Sequence, residues 1–163
     1  MYLHDVNLYN FYTGHSFDAY KWLGAHVVEK GVIFRTYAPS AKGVVLVWNG
    51  QSLPMNAMNN GHFYEIFVED AKEGDEYEYR IYGQDGSCVE HSDPYGFGME
   101  LRPAHRSIVR NLSGYKFSDG KWMKSRSDMK NKPLNIYELH LGSWRKKDET
   151  QTGWYNYVEL GEI

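Results

Sequence analysis

A single cysteine, Cys88, excludes an internal disulfide, so packing alone has to hold the fold together. No apolar run approaches the length of a membrane span, and Met1 to Asn10 lacks the basic-then-apolar order of a secretion leader. The net charge of −3 offers no general attraction to nucleic acid or to an anionic membrane, so neither is expected as a partner. Together these features fit a reducing cytoplasm.

Chemical motifs are also scarce. The seven histidines, His4, His15, His26, His62, His91, His105 and His140, do not pair at the spacing of metal ligands, and no cysteine pair exists. No metal and no cofactor are expected. Ser143 in Leu141-Gly142-Ser143-Trp144 lacks the second glycine of a nucleophile elbow. Gly96 and Gly98 lack the third glycine of a dinucleotide cradle and read as turn residues. Cys88 falls in a predicted strand, where a small buried apolar residue is the default. Segment 65–90 carries nine acids, but they alternate outward along strands or sit in turns, which describes a solvated face and not a facing pair for glycoside cleavage. Glu138 lies in the tail strand, where it points into a cleft or pairs with an arginine. The basic run Lys121, Lys124, Arg126, Lys130 and Lys132, with only Asp128 against it, reads as a solvated linker ahead of a nucleic-acid contact.

What the chain has in excess is aromatic: 14 Tyr, 7 Phe and 5 Trp, 16% of the residues. Aromatic and β-branched residues favour strands. Residues 1–24 read as an N-terminal helix and loop, with Ser16 as cap and Gly24 as stop. Period-two runs follow at 32–38, 44–48, 62–68 and 76–82; in the last, Tyr77, Tyr79 and Ile81 alternate with Glu76, Glu78 and Arg80. Asn60-Gly61 precedes the third run, and Asp85-Gly86 predicts a tight hairpin into 87–91. A shorter strand is expected over 107–112. Short strands at this spacing argue for an antiparallel sandwich over 25–114. Residues 115–134 read as a linker with a short helix capped by Asp119 and holding Trp122 and Met123. Residues 135–141 (NIYELHL) are apolar on both faces, the pattern of a strand in a parallel sheet. Asn156 and Glu159 then form a capping-box pair at the start of a helix. Residues 135–163 are therefore expected to be the first βα unit of a larger parallel structure; the competing expectation is a strand and helix docking back on the sandwich.

Four stretches occur in a telling order: YKWLGAH from Tyr20, GVIFRTYAP from Gly31, Asp93-Pro94-Tyr95 with Leu101-Arg102-Pro103, and IYELHLGSW from Ile136. Together they resemble the amino-terminal part of bacterial 1,4-α-glucan (glycogen) branching enzymes, from about residue 9 to 163. The resemblance implies an immunoglobulin-like β-sandwich of the glycogen-binding-module type, followed by the first strand and helix of an α-amylase-type (β/α)₈ barrel. It implies that the nucleophilic Asp, the acid/base Glu and the third carboxylate lie beyond Ile163, so that no catalytic residue stands in this chain. The implied partners are an α-glucan and the remaining barrel. Related glycogen-binding modules carry Gly-Asp-Phe-Asn-x-Trp after the first turn. The corresponding stretch here is Val47-Trp48-Asn49-Gly50-Gln51, with Trp48 and Asn49 standing for the Phe and Asn as candidate glucan contacts. The positions at which such modules use a Lys and a second Trp read Glu78 and Asp85, so a scaffolding role against the barrel competes with sugar binding. A stand-alone glucan-binding or regulatory module, and the equivalent part of a debranching or trehalose-releasing relative, are the alternatives.

Overall fold

The computed structural model describes residues 6–126, 131–150 and 153–163. Met1 to Asp5, with His4, and the linker residues Asp128 and Lys130 lie outside them. The chain divides into two compact units, Met1–Lys116 and Phe117–Ile163.

The first unit is a sandwich of two antiparallel sheets, as the alternating runs predict. One sheet contains β1 (Gly24–Val28), β2 (Gly31–Tyr37), β5 (Asn56–Met58) and β6 (Phe63–Val68), in the order β1-β2-β6-β5. The other contains β3 (Ala41–Trp48), β4 (Gln51–Pro54), β7 (Glu76–Gly83), β8 (Cys88–His91), β9 (Gly98–Met99) and β10 (Ser107–Ile108). Its path runs β4-β3-β7-β10-β9, with β8 also paired to β7. The period of two aims one row of each sheet at the other. Val32, Phe34 and Tyr64 face Val44, Leu46, Tyr77 and Tyr79 in one buried cluster. Phe34 and Tyr77 meet edge to face with ring centroids 4.9 Å apart, the arrangement the ring quadrupole prefers.

A third layer covers the far side of the first sheet. Helix α1 (Leu8–Tyr12) is capped by Asn7, whose side chain accepts from the Asn10 N–H. After it comes a short 3₁₀ turn at Ala19–Lys21. The Ser16-capped helix running to Gly24 is not formed: the Ser16 hydroxyl donates to Asp18 instead, and Gly24 opens β1. Gly24 has φ 99°, and a Cβ there would come within 2.7 Å of the Tyr95 carbonyl oxygen, so glycine is required where the chain enters the sheet. Trp22, Leu23 and Phe63 form a second buried cluster, with Phe11 and Tyr37 packed against it. Arg35, 2% exposed, locks this layer to the sheet. Its Nη1 donates to the Trp22 carbonyl at 2.6 Å, and its guanidinium pairs with Glu65.

Four sequence expectations shift in this unit. The strand over 107–112 shortens to Ser107–Ile108: Val109 still bonds the Asp75 carbonyl, but Asn111 then caps a 3₁₀ turn at Leu112–Gly114. Strands β1, β4, β5 and β9 were not expected; the last three are two to four residues long, too short for a period to show. Cys88 is exposed, not buried, because β8 is paired to β7 with all four of its residues open to solvent. Glu78 departs from the solvated acidic face: it is 5% exposed, with His105 Nε2 and Arg106 Nε at 3.7 and 3.8 Å. The hairpin at Asp85-Gly86 forms as expected, with the Gly83 amide donating to the Ser87 carbonyl at 2.9 Å.

In the second unit α2 (Gly120–Ser125) follows Asp119, whose side chain makes no capping bond. The strand expected over 135–141 is absent. Residues 133–140 have no regular structure, and Leu141–Trp144 form a single helical turn, α3. A strand draws its stability from ladder hydrogen bonds to a neighbour, and no described strand pairs with this one. Ile136 and Tyr137 are 86% and 76% exposed, and Glu138 is open to solvent as well. Helix α4 (Tyr157–Gly161) begins with the complete capping box read from the sequence: Asn156 accepts from the Glu159 amide and Glu159 from the Asn156 amide.

Candidate functional site

Trp48 and Asn49 fall at the end of β3, where the chain turns into β4. Asn49 and Gly50 both have positive φ, 49° and 72°, the geometry of a two-residue hairpin turn that matches strand twist. The turn forms one rim of an open cleft of about 530 Å³, completed by Asp70, Lys72, Gly74, Asp75, Glu76 and Arg106. Both candidate residues therefore stand at one cleft. Their surroundings differ sharply, however. Asn49 is exposed on the rim, whereas Trp48 is 8% exposed and belongs to the core between the sheets.

The polar groups of the cleft are largely engaged with one another. The Trp48 indole N–H donates to Asp75 Oδ2 at 3.0 Å, the same oxygen that accepts the Lys72 amide at 3.0 Å. Lys72 Nζ stands 3.5 Å from the other Asp75 oxygen, and Arg106 Nη1 stands 3.7 Å from Glu76. The cleft thus offers the edge of one indole, an exposed amide and a ring of mutually paired charges. It can contact hydroxyl groups at its rim, but little aromatic face is open for stacking.

Glu78 and Asp85, at the positions of the family's Lys and second Trp, do not join this cleft. Glu78 lies buried beneath His105 and Arg106, and Asp85 closes the β7–β8 hairpin by accepting from the Ser87 amide and hydroxyl. The Ser87 bonds hold the Asp85 carboxyl below its ordinary range. Among the described residues no group of three or more His, Cys, Asp or Glu side chains is placed to hold a metal ion, and no helix is long and apolar enough to cross a membrane.

Asp93, one of the resemblance residues, turns out to be a buried hub. It is 5% exposed and accepts from the Tyr77 and Tyr79 hydroxyls at 2.7 and 3.1 Å and from the Tyr95 amide at 2.9 Å. Its own amide donates to the Ser107 hydroxyl at 2.8 Å. Burial pushes the Asp93 carboxyl up, against the pull of these donors, and burial together with the Asp93 charge pushes both tyrosine hydroxyls up. The hub joins β7 to the loop ahead of β9. Sequence reasoning did not find it, because the residues involved are 14 to 16 positions apart.

Residues 22–96 match the family described as Carbohydrate-binding module 48 (Isoamylase N-terminal domain). Beyond those limits the chain is similar to the amino-terminal region of curated 1,4-alpha-glucan branching enzymes. It is 39% identical to the GlgB enzyme of Geobacillus stearothermophilus over 97% of this chain and 26% of that protein. It is 37% identical to that of Fusobacterium nucleatum over 95% of this chain and 26% of that protein. The chain thus spans about a quarter of the length of these relatives. Among solved structures, the maltotriose complex of PulA from Klebsiella pneumoniae superimposes with a TM-score of 0.50 at 26% identity, over 55% of this chain and 11% of that one. A putative alpha amylase from Salmonella typhimurium shares the fold at a TM-score of 0.50 and 24% identity, over 62% and 17% of the two chains.

Proposed function

We propose that this chain is the amino-terminal accessory part of a cytoplasmic 1,4-α-glucan branching enzyme and carries out no chemistry by itself. The observation that carries this reading is the 39% identity along 97% of the chain with an enzyme of which it spans 26%. In this reading residues 25–114 are the accessory sandwich, 115–134 the linker, and 135–163 the opening strand and helix of the catalytic barrel. The exposed apolar residues Leu134, Ile136, Tyr137 and Trp144 support it, since a barrel strand is paired on both edges and covered on both faces only by later strands and helices. The carboxylates of the complete enzyme then belong to strands beyond Ile163. There an aspartate would attack the anomeric carbon to form a covalent glycosyl-enzyme while a glutamic acid protonates the departing oxygen. The 6-hydroxyl of a second glucan would then replace water as acceptor.

The test is a chimera in which this chain replaces the corresponding amino-terminal region of the Geobacillus stearothermophilus enzyme. The chimera is expected to introduce α-1,6 linkages into amylose, read by their anomeric proton signal, and the 163-residue chain alone to introduce none. A soluble, folded chimera without branching activity overturns the proposal.

A second reading concerns the glucan partner. The cleft brings the Trp48 edge and the exposed Asn49 amide together, which supports a rim contact with an α-glucan. Asn49→Ala leaves the core intact and should reduce retardation of the chain in a glycogen-containing native gel. Unchanged retardation would remove Asn49 from the contact. Trp48→Ala is the poorer test, because it opens the core.

A further inference from the structure

A second groove lies elsewhere on the sandwich, away from the Trp48 turn. It is about 360 Å³ and runs between the Tyr20–Lys21 turn, the edge strand β1 at Ala25–Val27, Phe97, and the segment Arg110–Ser113 that follows β10. Its chemistry is unlike that of the Trp48 cleft. Tyr20 is 48% exposed, and Phe97 is half-buried with its ring 5.7 Å from that of His26, edge to face. Aromatic surface is therefore open here, where it is closed at Trp48.

The polar groups around it are also unspent. His26 Nε2 lies 2.9 Å from the Leu23 carbonyl, which only accepts, so Nε2 carries the proton. Burial, with a further contribution from Arg35, lowers the His26 pKa and keeps the ring neutral. That leaves Nδ1 with a free lone pair, and no described residue donates to it. The Arg110 side chain crosses Gly98, where a Cβ would meet its Cγ at 2.9 Å, and its guanidinium makes no ion pair or hydrogen bond among the described residues. The Asn111 side-chain oxygen caps the following turn by accepting from Ser113 and the Asn111 backbone amide donates to Glu73, which leaves the side-chain Nδ2 hydrogens unused. One acceptor and several donors thus converge on exposed ring surface in a concave site, the combination that recognises a neutral polyhydroxylated ring.

We propose that this groove is a second α-glucan subsite, in which Tyr20 and Phe97 offer apolar ring surface to a glucosyl unit. His26 Nδ1 accepts a hydroxyl proton there, and Arg110 and Asn111 donate to hydroxyl oxygens. The assignment rests on the reading of the module as one that meets α-glucan, and adds to it a place and a set of contacts. A peptide strand adding to the free edge of β1 is the competing occupant, but it would leave the Arg110 donors and the His26 acceptor unused.

The test is a titration of the isotopically labelled 163-residue chain with maltoheptaose, followed by NMR. Amide and ring signals of Tyr20, His26, Phe97 and Arg110 to Ser113 should move together, and the Tyr20→Ala and Arg110→Gln variants, both at exposed positions, should each weaken that response about tenfold. Shifts confined to Asn49 and Gly50 overturn the second subsite and leave the first. No shift anywhere overturns glucan binding by the module altogether, while the chimera experiment still decides the branching-enzyme reading independently. A groove response that survives both substitutions unchanged also overturns the proposal.

Discussion

At the scale of single residues, the least expected feature is a buried carboxylate in the loop between β8 and β9. Asp93 is held by two tyrosine hydroxyls and two backbone or side-chain neighbours, yet burial still raises its pKa. The consequence for stability has a definite sign. Between the ordinary aspartate value of 3.8 and the raised value, the folded state retains a proton that the unfolded chain has already released. The contribution of Asp93 is therefore fullest at low pH and declines as pH rises through that window. In Asp93→Asn this slope should vanish, while the loss of one carboxylate acceptor beside the Tyr95 amide costs about 1–3 kcal/mol. Urea unfolding of the two proteins from about pH 4 to pH 7 checks both effects; parallel pH profiles would show that the Asp93 proton is not linked to folding. None of this was legible in the sequence. Asp93-Pro94-Tyr95 stood out only as part of a family resemblance, and a three-residue string does not say which tyrosines reach it.

At the scale of elements, period-two patterning performed well where the strands are long and poorly where they are short. The runs over 32–38, 44–48, 62–68 and 76–82 correspond to β2, β3, β6 and β7, whose ladders carry the core. β3 buries one face in strict alternation, whereas β2, β6 and β7 bury neighbouring residues and are marked by length and by β-branched and aromatic content. The N-terminal layer was misread because its helix signals compete with a sheet entry: Gly24 ends the turn by opening β1 and not by capping a helix. This layer is nonetheless a major source of stability. Trp22 is 2% exposed, packs against Phe11 and Phe63 with ring centroids 5.3 and 5.5 Å away, and lends its carbonyl to Arg35. Trp22→Ala should cost about 3–5 kcal/mol in chemical denaturation, because the cavity faces a rigid sheet that cannot collapse into it. A cost below about 1 kcal/mol would mean that the layer is not part of the cooperative fold.

At the scale of the whole molecule, the two units differ in kind. The first has two buried apolar clusters and a third covering layer. Among the described residues of the second, only Gly153 is buried, and Ile136, Tyr137, Tyr157 and Val158 are each more than 70% exposed. Without buried apolar area there is no cooperative barrier to local opening. Amide hydrogen exchange should therefore protect the strands of the first unit, those of β2, β3, β6 and β7 most, while amides of the described residues from Phe117 onward exchange close to their intrinsic rates. Slow exchange in α4 despite its exposure would require packing for this unit beyond what its described residues provide.

The sequence by itself determined the class of the first unit, the positions of its long strands, the capping box at Asn156 and Glu159, and the branching-enzyme resemblance that the comparisons uphold. Each of these rests on residues close together in the chain, where period, turn chemistry and motif order act. Only the tertiary structure decided that Trp48 faces the core, that Glu78 and Asp93 are buried, that Cys88 is exposed, and that NIYELHL forms no strand. Those outcomes depend on which surfaces lie within a few ångströms of one another after folding, and a side chain's solvation is set by its neighbours in space, whatever its letter in the chain.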